Sequence, residues 1–197
     1  MPSKVFIELD KEKQQRVIGA AMNEFASFGY ENASTNRIVK ECGISKGSLF
    51  KYFENKEDLY FYIVDKVAAD MASGLAVDAD KLPSDLYERI MEYSVMEITW
   101  YVNNPLMGRF MISFASERDS SIAAKIMERY GKAGDDIYMK LMEGTDPVRT
   151  GIIKWVIKGY NSSFLAEMTD STMDLEEIKG RYIKGLKEYL DRLKKGI

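Results

Sequence analysis

The sequence contains no histidine and only one cysteine among its 197 residues. Without histidine the chain cannot form a serine–histidine catalytic pair or a histidine-ligated metal site, and it lacks the commonest general base. Cys42 alone offers neither a thiolate cluster nor an intrachain disulfide. Neither Gly-x-Gly-x-x-Gly nor a phosphate-binding P-loop occurs. We therefore expect a protein that is not an enzyme and has no metal site and no cofactor.

Long apolar runs and low-complexity tracts are also missing. No stretch of eighteen apolar residues occurs, and the first ten residues, MPSKVFIELD, do not resemble a signal peptide. The chain has four prolines, 46% hydrophobic residues and 30% charged residues, which is typical of a globular protein. These features predict a soluble, cytoplasmic protein without a membrane partner. Cys42 lies on the apolar face of a predicted helix, which favours a buried thiol over a redox sensor.

The formal net charge of −3 is unevenly distributed. Five basic and two acidic residues lie between Thr35 and Lys56, so this segment carries +3 and the remainder −6. A local basic patch on an otherwise acidic protein would orient it on a polyanion, because the remaining acidic surface would not bind the polyanion.

The segment Ser34–Glu57 predicts two short helices joined by a tight turn. Ser34 and Ser45 are good N-caps, and Gly43 suits the turn between the helices. Leu49 and Phe53, four residues apart, are expected to face inward. The opposite face of the second helix is then left to contact DNA, as the recognition helix of a helix-turn-helix does.

The pattern T-x-x-I-V-x-x-C-G-I-S-K-G-S-L-F-x-Y-F-x-N-K-E-x-L, from Thr35 to Leu59, resembles the tetracycline-repressor (TetR) family of bacterial transcriptional regulators. Val39 and Cys42 stand where that family usually has alanine, and Phe50 where it often has tyrosine. The loss of the tyrosine hydroxyl removes a group that reaches a phosphate but keeps an apolar edge for a thymine methyl.

The resemblance implies a set of DNA contacts. Lys46, Gly47, Phe50 and Lys51 would face bases, and Thr35, Ser48, Tyr52 and Lys56 would hold phosphates. For Tyr52, packing between the third and first predicted helices is an equal alternative. If Lys56 binds one phosphate, Lys56→Ala should flatten the salt dependence of log affinity by about 0.9 for each phosphate no longer bound.

Helical periodicity continues along the chain and predicts an all-α fold of about nine helices without a strand. Residues 1–9 are expected to form a short arm of low order, with packing of Val5, Phe6 and Ile7 on the first predicted helix as the alternative. Residues 78–83 are expected to form a loop. The predicted domains are a helix-turn-helix DNA-binding domain at residues 1–55 and a helical effector-binding and dimerisation domain at residues 56–197. The fourth predicted helix, after Asn55, links the two domains.

A single helix-turn-helix reads half a site, so the rest of the chain should form a homodimer. The last two helices are apolar on more than one stripe, and the resemblance implies that they pair with those of a second copy. The alternative is that they are long core helices.

Large, adaptable side chains between residues 93 and 164 predict a pocket for a small hydrophobic or aromatic effector, although ordinary core packing is the alternative. A carboxylate at Glu97 would suit a lipophilic cation, and a pocket without a buried carboxylate would suit an acyl chain or neutral aromatic. The candidate lining residues are Tyr93, Met96, Glu97, Trp100, Phe110, Met111, Phe114, Trp155, Tyr160, Asn161 and Phe164.

The sequence therefore predicts a ligand-responsive regulator of transcription that binds double-stranded operator DNA. Repression, relieved by the effector, is what the family resemblance implies. The alternative is a helical adaptor that binds a protein partner and no longer reads DNA. The adaptor is disfavoured by the presence of Lys46, Gly47, Lys51 and Lys56, since an adaptor has no need of a basic DNA-reading face.

Overall fold

The computed structural model describes residues 1–75, 82–117, 121–168 and 174–196, with the side chains of 132–138 and 168 excepted. Within these ranges the chain is helical and contains no strand, which confirms the predicted all-α fold. The ten helices are α1 (Lys4–Ile7), α2 (Lys11–Asn32), α3 (Thr35–Glu41), α4 (Lys46–Tyr52), α5 (Lys56–Gly74), α6 (Leu86–Asn103), α7 (Pro105–Ala115), α8 (Ala123–Leu141), α9 (Pro147–Met168) and α10 (Leu175–Lys194).

The additional helix is α1, where the sequence predicts an arm of low order. Ser3 caps this helix, and Phe6 is only 1% exposed because it packs against the rings of Tyr52, Phe53 and Tyr62. One buried aromatic side chain thus orders the segment. Of the predicted loop, residues 78–81 lie outside the described residues.

Side-chain caps fix most helix starts where the sequence predicts them. Asp10 accepts a hydrogen bond from the Lys13 amide at 2.7 Å, and Asn55 one from the Asp58 amide at 2.8 Å. Each bond satisfies an N–H group that the first turn of a helix leaves unpaired. Gly43 has a φ of +67°, a left-handed conformation that only glycine adopts without strain.

The chain forms two compact units, the first of which is Met1–Ser73 with Asn104–Ala123. In its core the Tyr60 ring lies 4.9 Å from Phe25 and 5.6 Å from Phe110. The Ser113 hydroxyl of α7 donates to the Phe25 carbonyl of α2 at 3.0 Å. These contacts hold α2, α5 and α7 together behind α3 and α4. The predicted domain boundary at residues 55 and 56 concerns function and remains a prediction.

The second unit is Gly74–Asn103 with Ala124–Ile197. Helix α10 packs against α6 and α9. Their buried side chains include Ile90, Ile98, Ile153, Ile157, Tyr182, Leu186 and Leu190. None of the helices described is both long enough and apolar enough to span a bilayer.

Candidate nucleic-acid interface and a buried polar chain

Helices α3 and α4 form the predicted helix-turn-helix. Ser45 accepts a hydrogen bond from the Ser48 amide at 3.0 Å, so α4 starts where its cap predicts. Leu49 and Phe53 are 1% and 2% exposed and fix the inner face of α4, as expected from their spacing. Cys42 ends α3 and is buried, which raises the pKa of its thiol. The turn and the inner face therefore present the opposite face of α4 to solvent.

That outer face carries all four residues predicted to meet bases. Lys46, Gly47 and Lys51 are exposed, and Phe50 is an exposed aromatic ring at 41%. At Gly47 an added Cβ would meet only the Ser45 hydroxyl, at 3.8 Å, so the fold itself does not require glycine there. The outer face of α4 thus presents the ammonium groups of Lys46 and Lys51, the ring edge of Phe50 and, at Gly47, backbone without a side chain.

The predicted phosphate contacts are less accessible. Thr35 and Ser48 are half-buried, and the Ser48 hydroxyl lies 2.9 Å from that of Ser45. Tyr52 is 6% exposed, with its ring centroid 5.7 Å from that of Phe6. This position favours packing over a phosphate contact for Tyr52, although its partner is α1 and not the longer helix α2.

Lys56 is held by the end of α2. Its ammonium donates to the carbonyls of Tyr30, Glu31 and Ala33 at 2.7, 3.2 and 3.3 Å, and lies 4.5 Å from the Tyr30 ring centroid. A lysine has three N–H donors, and a cation at the C-terminal end of a helix is favourable. Lys56 therefore closes the end of α2, and a phosphate contact would have to replace one of these bonds.

We expect Lys56→Ala to lower the free energy of unfolding by about 1.5–3 kcal/mol, because the carbonyls lose a charged donor. Denaturant unfolding measures this loss, and Lys66→Ala, at an exposed position of the same helix, is the control. The salt dependence of DNA affinity tests the predicted phosphate contact separately. A slope flatter by about 0.9 supports the contact, and an unchanged slope leaves Lys56 with its structural role alone.

The predicted effector residues lie in both units. Phe110, Met111 and Phe114 belong to α7 of the first unit, where Phe110 is a fully buried core residue. The other eight belong to the second unit. Among these, Trp155 is 79% exposed, which does not fit a place in the lining of an interior pocket.

A chain of polar side chains crosses the second unit from α10 to α9 to α6. The Tyr182 hydroxyl donates to the Asn161 Oδ1 at 2.5 Å, and the Asn161 Nδ2 donates to the Glu97 Oε2 at 2.9 Å. Burial raises the pKa of Glu97 to about 7 against the lowering effects of Asn161 and Lys158. Burial, and then the Glu97 charge, also raises the pKa of Tyr93, Tyr101 and Tyr182. Glu97 is therefore a carboxyl group, close to tyrosine side chains, that binds a proton at a higher pH than an ordinary glutamate does.

Sequence reasoning brings Glu97 and Asn161 together but misses two residues. Tyr182 falls on the predicted dimerising helix, and no local pattern places its hydroxyl beside an amide 21 residues away. Glu24 resembles an ordinary polar residue of α2, yet it is 4% exposed and bonded to α3. The one feature of the sequence that could have indicated the burial of Glu24 is its position next to Phe25, which is itself buried.

Comparison with known proteins supports both the sequence pattern and the fold. Residues 17–63 match the family "Bacterial regulatory proteins, tetR family". HTH-type transcriptional regulators of Staphylococcus aureus strains USA300 and N315 are 43% identical over 56 residues. This match covers 28% of the chain and 30% of each relative, so it spans less than a third of their length.

Solved structures extend the likeness to the fold of the whole chain. A TetR family transcriptional regulator from Chloroflexus aurantiacus has a TM-score of 0.71 at 18% identity, covering 100% of this chain and 98% of its own. A TetR-like regulator from a Rhodococcus species has a TM-score of 0.67 at 13% identity, covering 89% and 94%. Residues 17–63 thus match the tetR family of bacterial regulatory proteins, and the chain shares the fold of solved TetR-family regulators.

Proposed function

We propose that the protein is a cytoplasmic, ligand-responsive regulator of transcription, a repressor that a small hydrophobic or aromatic effector releases from operator DNA. The observation that carries the proposal is the outer face of α4. Lys46, Gly47, Phe50 and Lys51 are exposed there, while Leu49 and Phe53 anchor the helix from behind. A surface with these groups suits the major groove, because lysines donate to guanine edges and an aromatic edge contacts a thymine methyl.

The first experiment is binding of the purified full chain to the DNA that flanks its own gene, at two salt concentrations, with an unrelated duplex as control. We expect specific binding that weakens as salt rises, because lysines that neutralise phosphates release counterions. Binding no tighter than to the unrelated duplex would contradict the regulator and favour a helical adaptor.

Gly47→Ala separates DNA reading from folding. The fold leaves room for the new methyl group, and alanine is the better helix former, so stability should stay the same or rise by up to about 1 kcal/mol. Affinity for the flanking duplex should nevertheless fall about tenfold, because the helix can no longer approach the bases as closely. Thermal unfolding and a binding titration measure the two effects, and equal affinity of variant and parent would remove Gly47 from the interface.

The proposed homodimer uses the outer faces of α9 and α10. Val148, Ile152 and Trp155 recur at helical spacing on α9 and are 72%, 47% and 79% exposed, while Ile153 and Ile157 bury the other face. On α10, Ile183 and Tyr189 are also exposed. Helix α9 is thus apolar on both sides, which suits a helix that packs against its own unit and a second copy. The two copies would set two reading heads about 34–36 Å apart.

Trp155→Glu should convert the dimer to a monomer. A buried tryptophan at an interface is typically worth about 2 kcal/mol or more, and a two-fold interface contains the substitution twice. Sedimentation over a concentration series measures the dissociation constant. Met127→Glu on α8 is the control, since Met127 is 69% exposed and lies outside the last two helices. A parent chain that is monomeric at every concentration contradicts the proposal.

The proposed effector site surrounds the polar chain of the second unit. Glu97 and Asn161 offer an acceptor and an amide. The rings of Tyr160 and Phe164 pack on Tyr182, whose hydroxyl donates to Asn161, and the Glu97 charge acts on Tyr93. A carboxyl group among aromatic rings supports a lipophilic cation as the effector, since such ligands are held by charge and ring faces together. The residues proposed to line this site are Tyr93, Met96, Glu97, Trp100, Tyr160, Asn161 and Phe164.

Release is proposed to pass through α6 to α5. Trp100 lies one turn after Glu97 on α6, and its Cδ1 would be 2.8 Å from a Cβ on Gly74, the last residue of α5. An effector that displaces Trp100 would therefore move the C-terminal end of α5. The N-terminal end of α5, at Lys56, follows the helix-turn-helix formed by α3 and α4. Coupling is reciprocal, so flanking DNA should weaken effector binding by the factor by which effector weakens DNA binding. Equal effector affinity with and without DNA would refute this mechanism.

A further inference from the structure

Glu24 on α2 is a charged residue with only 4% of its surface exposed. A buried carboxylate is costly unless it is paired and hydrogen-bonded. Leucine or another apolar residue would fill such a site without that cost. The bonds of Glu24 should therefore account for the presence of a charge in this position.

Those bonds all lead to the start of α3. The Ser34 amide donates to Oε1 at 2.7 Å, and the Arg37 Nε donates to Oε1 and Oε2 at 2.8 and 3.0 Å. The Arg37 Nη2 also lies 2.5 Å from Oε1 and donates to the Asn32 carbonyl at 2.8 Å. The guanidinium also lies 4.3 Å from the ring centroid of Phe28. Arg37 is therefore held by the Glu24 carboxylate, the Asn32 carbonyl and the Phe28 ring, all of which belong to α2.

This arrangement replaces a familiar capping device. Ser34 is the N-cap of α3, but its side chain makes no capping bond. In a capping box, a glutamate three residues after the cap accepts from the amide of the cap residue. Arg37 occupies that position here, and Glu24 delivers the carboxylate to the Ser34 amide from a different helix. The start of α3 is thus tied to α2 and not to its own first turn.

The orientation of α3 continues into α4 through a short, well-bonded turn. The Ile44 amide donates to the Val39 carbonyl at 3.1 Å, and Gly43 takes the left-handed conformation between the helices. Only four residues, 42–45, separate the two helices. A tilt of α3 relative to α2 would therefore be carried into the exposed face of α4.

We propose that Glu24 is a positioning residue for the reading of operator DNA, acting through Arg37 and the Ser34 amide to fix the recognition helix. The proposal rests on the DNA-binding function proposed above. Glu24 does not itself touch DNA in this scheme. It sets the angle at which Lys46, Gly47 and Lys51 meet the groove.

Glu24→Gln tests the proposal, because the amide keeps the shape of the side chain but loses the paired charge. Arg37→Lys is the second variant. It keeps the positive charge near DNA but cannot form the bidentate interaction of the guanidinium with the Glu24 carboxylate. Each is measured well below its own melting temperature, on the flanking duplex and on an unrelated duplex. Glu12→Gln, at an exposed position of α2, is the control.

We expect both variants to bind the flanking duplex at least tenfold more weakly while binding to the unrelated duplex stays unchanged. The salt slope on the unrelated duplex should also be unchanged, since no phosphate contact is removed. The double variant should lose little more than either single variant, because the two residues act as one unit. Affinities that fall in parallel on both duplexes, or an unchanged ratio between them, would overturn the proposal.

A second readout does not depend on DNA. Hydrogen exchange at the Ser34 amide should be at least tenfold slower in the parent chain than in Glu24→Leu, whose apolar side chain accepts no bond. Equal exchange rates would overturn the capping role of Glu24 directly. If the parent chain shows slow exchange at Ser34 but no preference for its flanking DNA, the proposed function fails and the capping role stands.

Discussion

Phe6→Ala is expected to lower the free energy of unfolding by about 3–5 kcal/mol, the usual cost of removing a buried aromatic ring. Phe6 is 1% exposed, and its ring lies 4.8 Å from Phe53, 5.7 Å from Tyr52 and 5.8 Å from Tyr62. Domains of this kind are stable by only about 5–15 kcal/mol, so the loss is a large fraction of the total. Denaturant unfolding measures it.

The effect of Phe6→Ala should extend to α4. The Ser3 amide donates to the Tyr52 carbonyl at 2.9 Å, and its hydroxyl donates to the Lys51 carbonyl at 2.7 Å. These bonds satisfy carbonyls at the end of α4, and they need α1 to remain docked. Weaker binding to the flanking DNA should therefore accompany the loss of stability.

Val5→Ala is the matched control for Phe6→Ala, because Val5 is the preceding residue of α1 and is 52% exposed. Its effect on unfolding should be below about 0.5 kcal/mol. A cost for Phe6→Ala below about 1 kcal/mol would mean that α1 is not docked in solution and that the sequence-based expectation of an arm was right.

Glu97 is expected to make the second unit less stable as pH rises. Its pKa is about 7 in the folded chain against 4.5 for the ordinary carboxyl group, so between these values the folded state holds a proton that the unfolded state has released. Stability falls with pH wherever the folded state binds more protons. The contribution of Glu97 should therefore decline from about pH 4.5 to about pH 7, by about 3 kcal/mol in all.

Glu97→Gln should flatten this pH dependence, because the amide keeps a hydrogen-bonding partner for Asn161 but does not titrate in this range. Unfolding followed at pH 4.5, 6 and 7.5 compares the variant with the parent chain. Glu92→Gln, an exposed position on the same helix, should leave the profile of the parent unchanged. A variant whose profile matches that of the parent would show that Glu97 does not carry the proton.

The sequence predicted those features that depend on neighbours three or four residues away. The caps Asp10, Ser45 and Asn55 and the turn at Gly43 act within one turn of helix, so their residue types indicate the structure directly. The inner face of α4 followed from the spacing of Leu49 and Phe53. For the same reason the exposed face of α4 could be named before its geometry was known.

The remaining features depend on pairs that are distant in sequence. Phe6 meets Phe53 only after α4 has folded back, and Lys56 meets carbonyls about 25 residues earlier. A lysine next to a recognition helix is equally compatible with a phosphate and with the end of a helix, and only the fold distinguishes them. Glu24 shows the same limit, since its partners lie ten and thirteen residues away.

The unequal exposure of the two tryptophans makes the protein its own spectroscopic reporter. Trp100 is 6% exposed and Trp155 is 79% exposed, and the sequence contains no other tryptophan. Both belong to the second unit, so indole emission reports on that unit while the first unit contributes only tyrosine and phenylalanine signals. A tryptophan side chain in an apolar environment emits at a shorter wavelength than one in water. The emission maxima of Trp100 and Trp155 should therefore differ. In the monomer a soluble quencher should reach Trp155 before Trp100, and burial of Trp155 in the proposed dimer should reduce this difference.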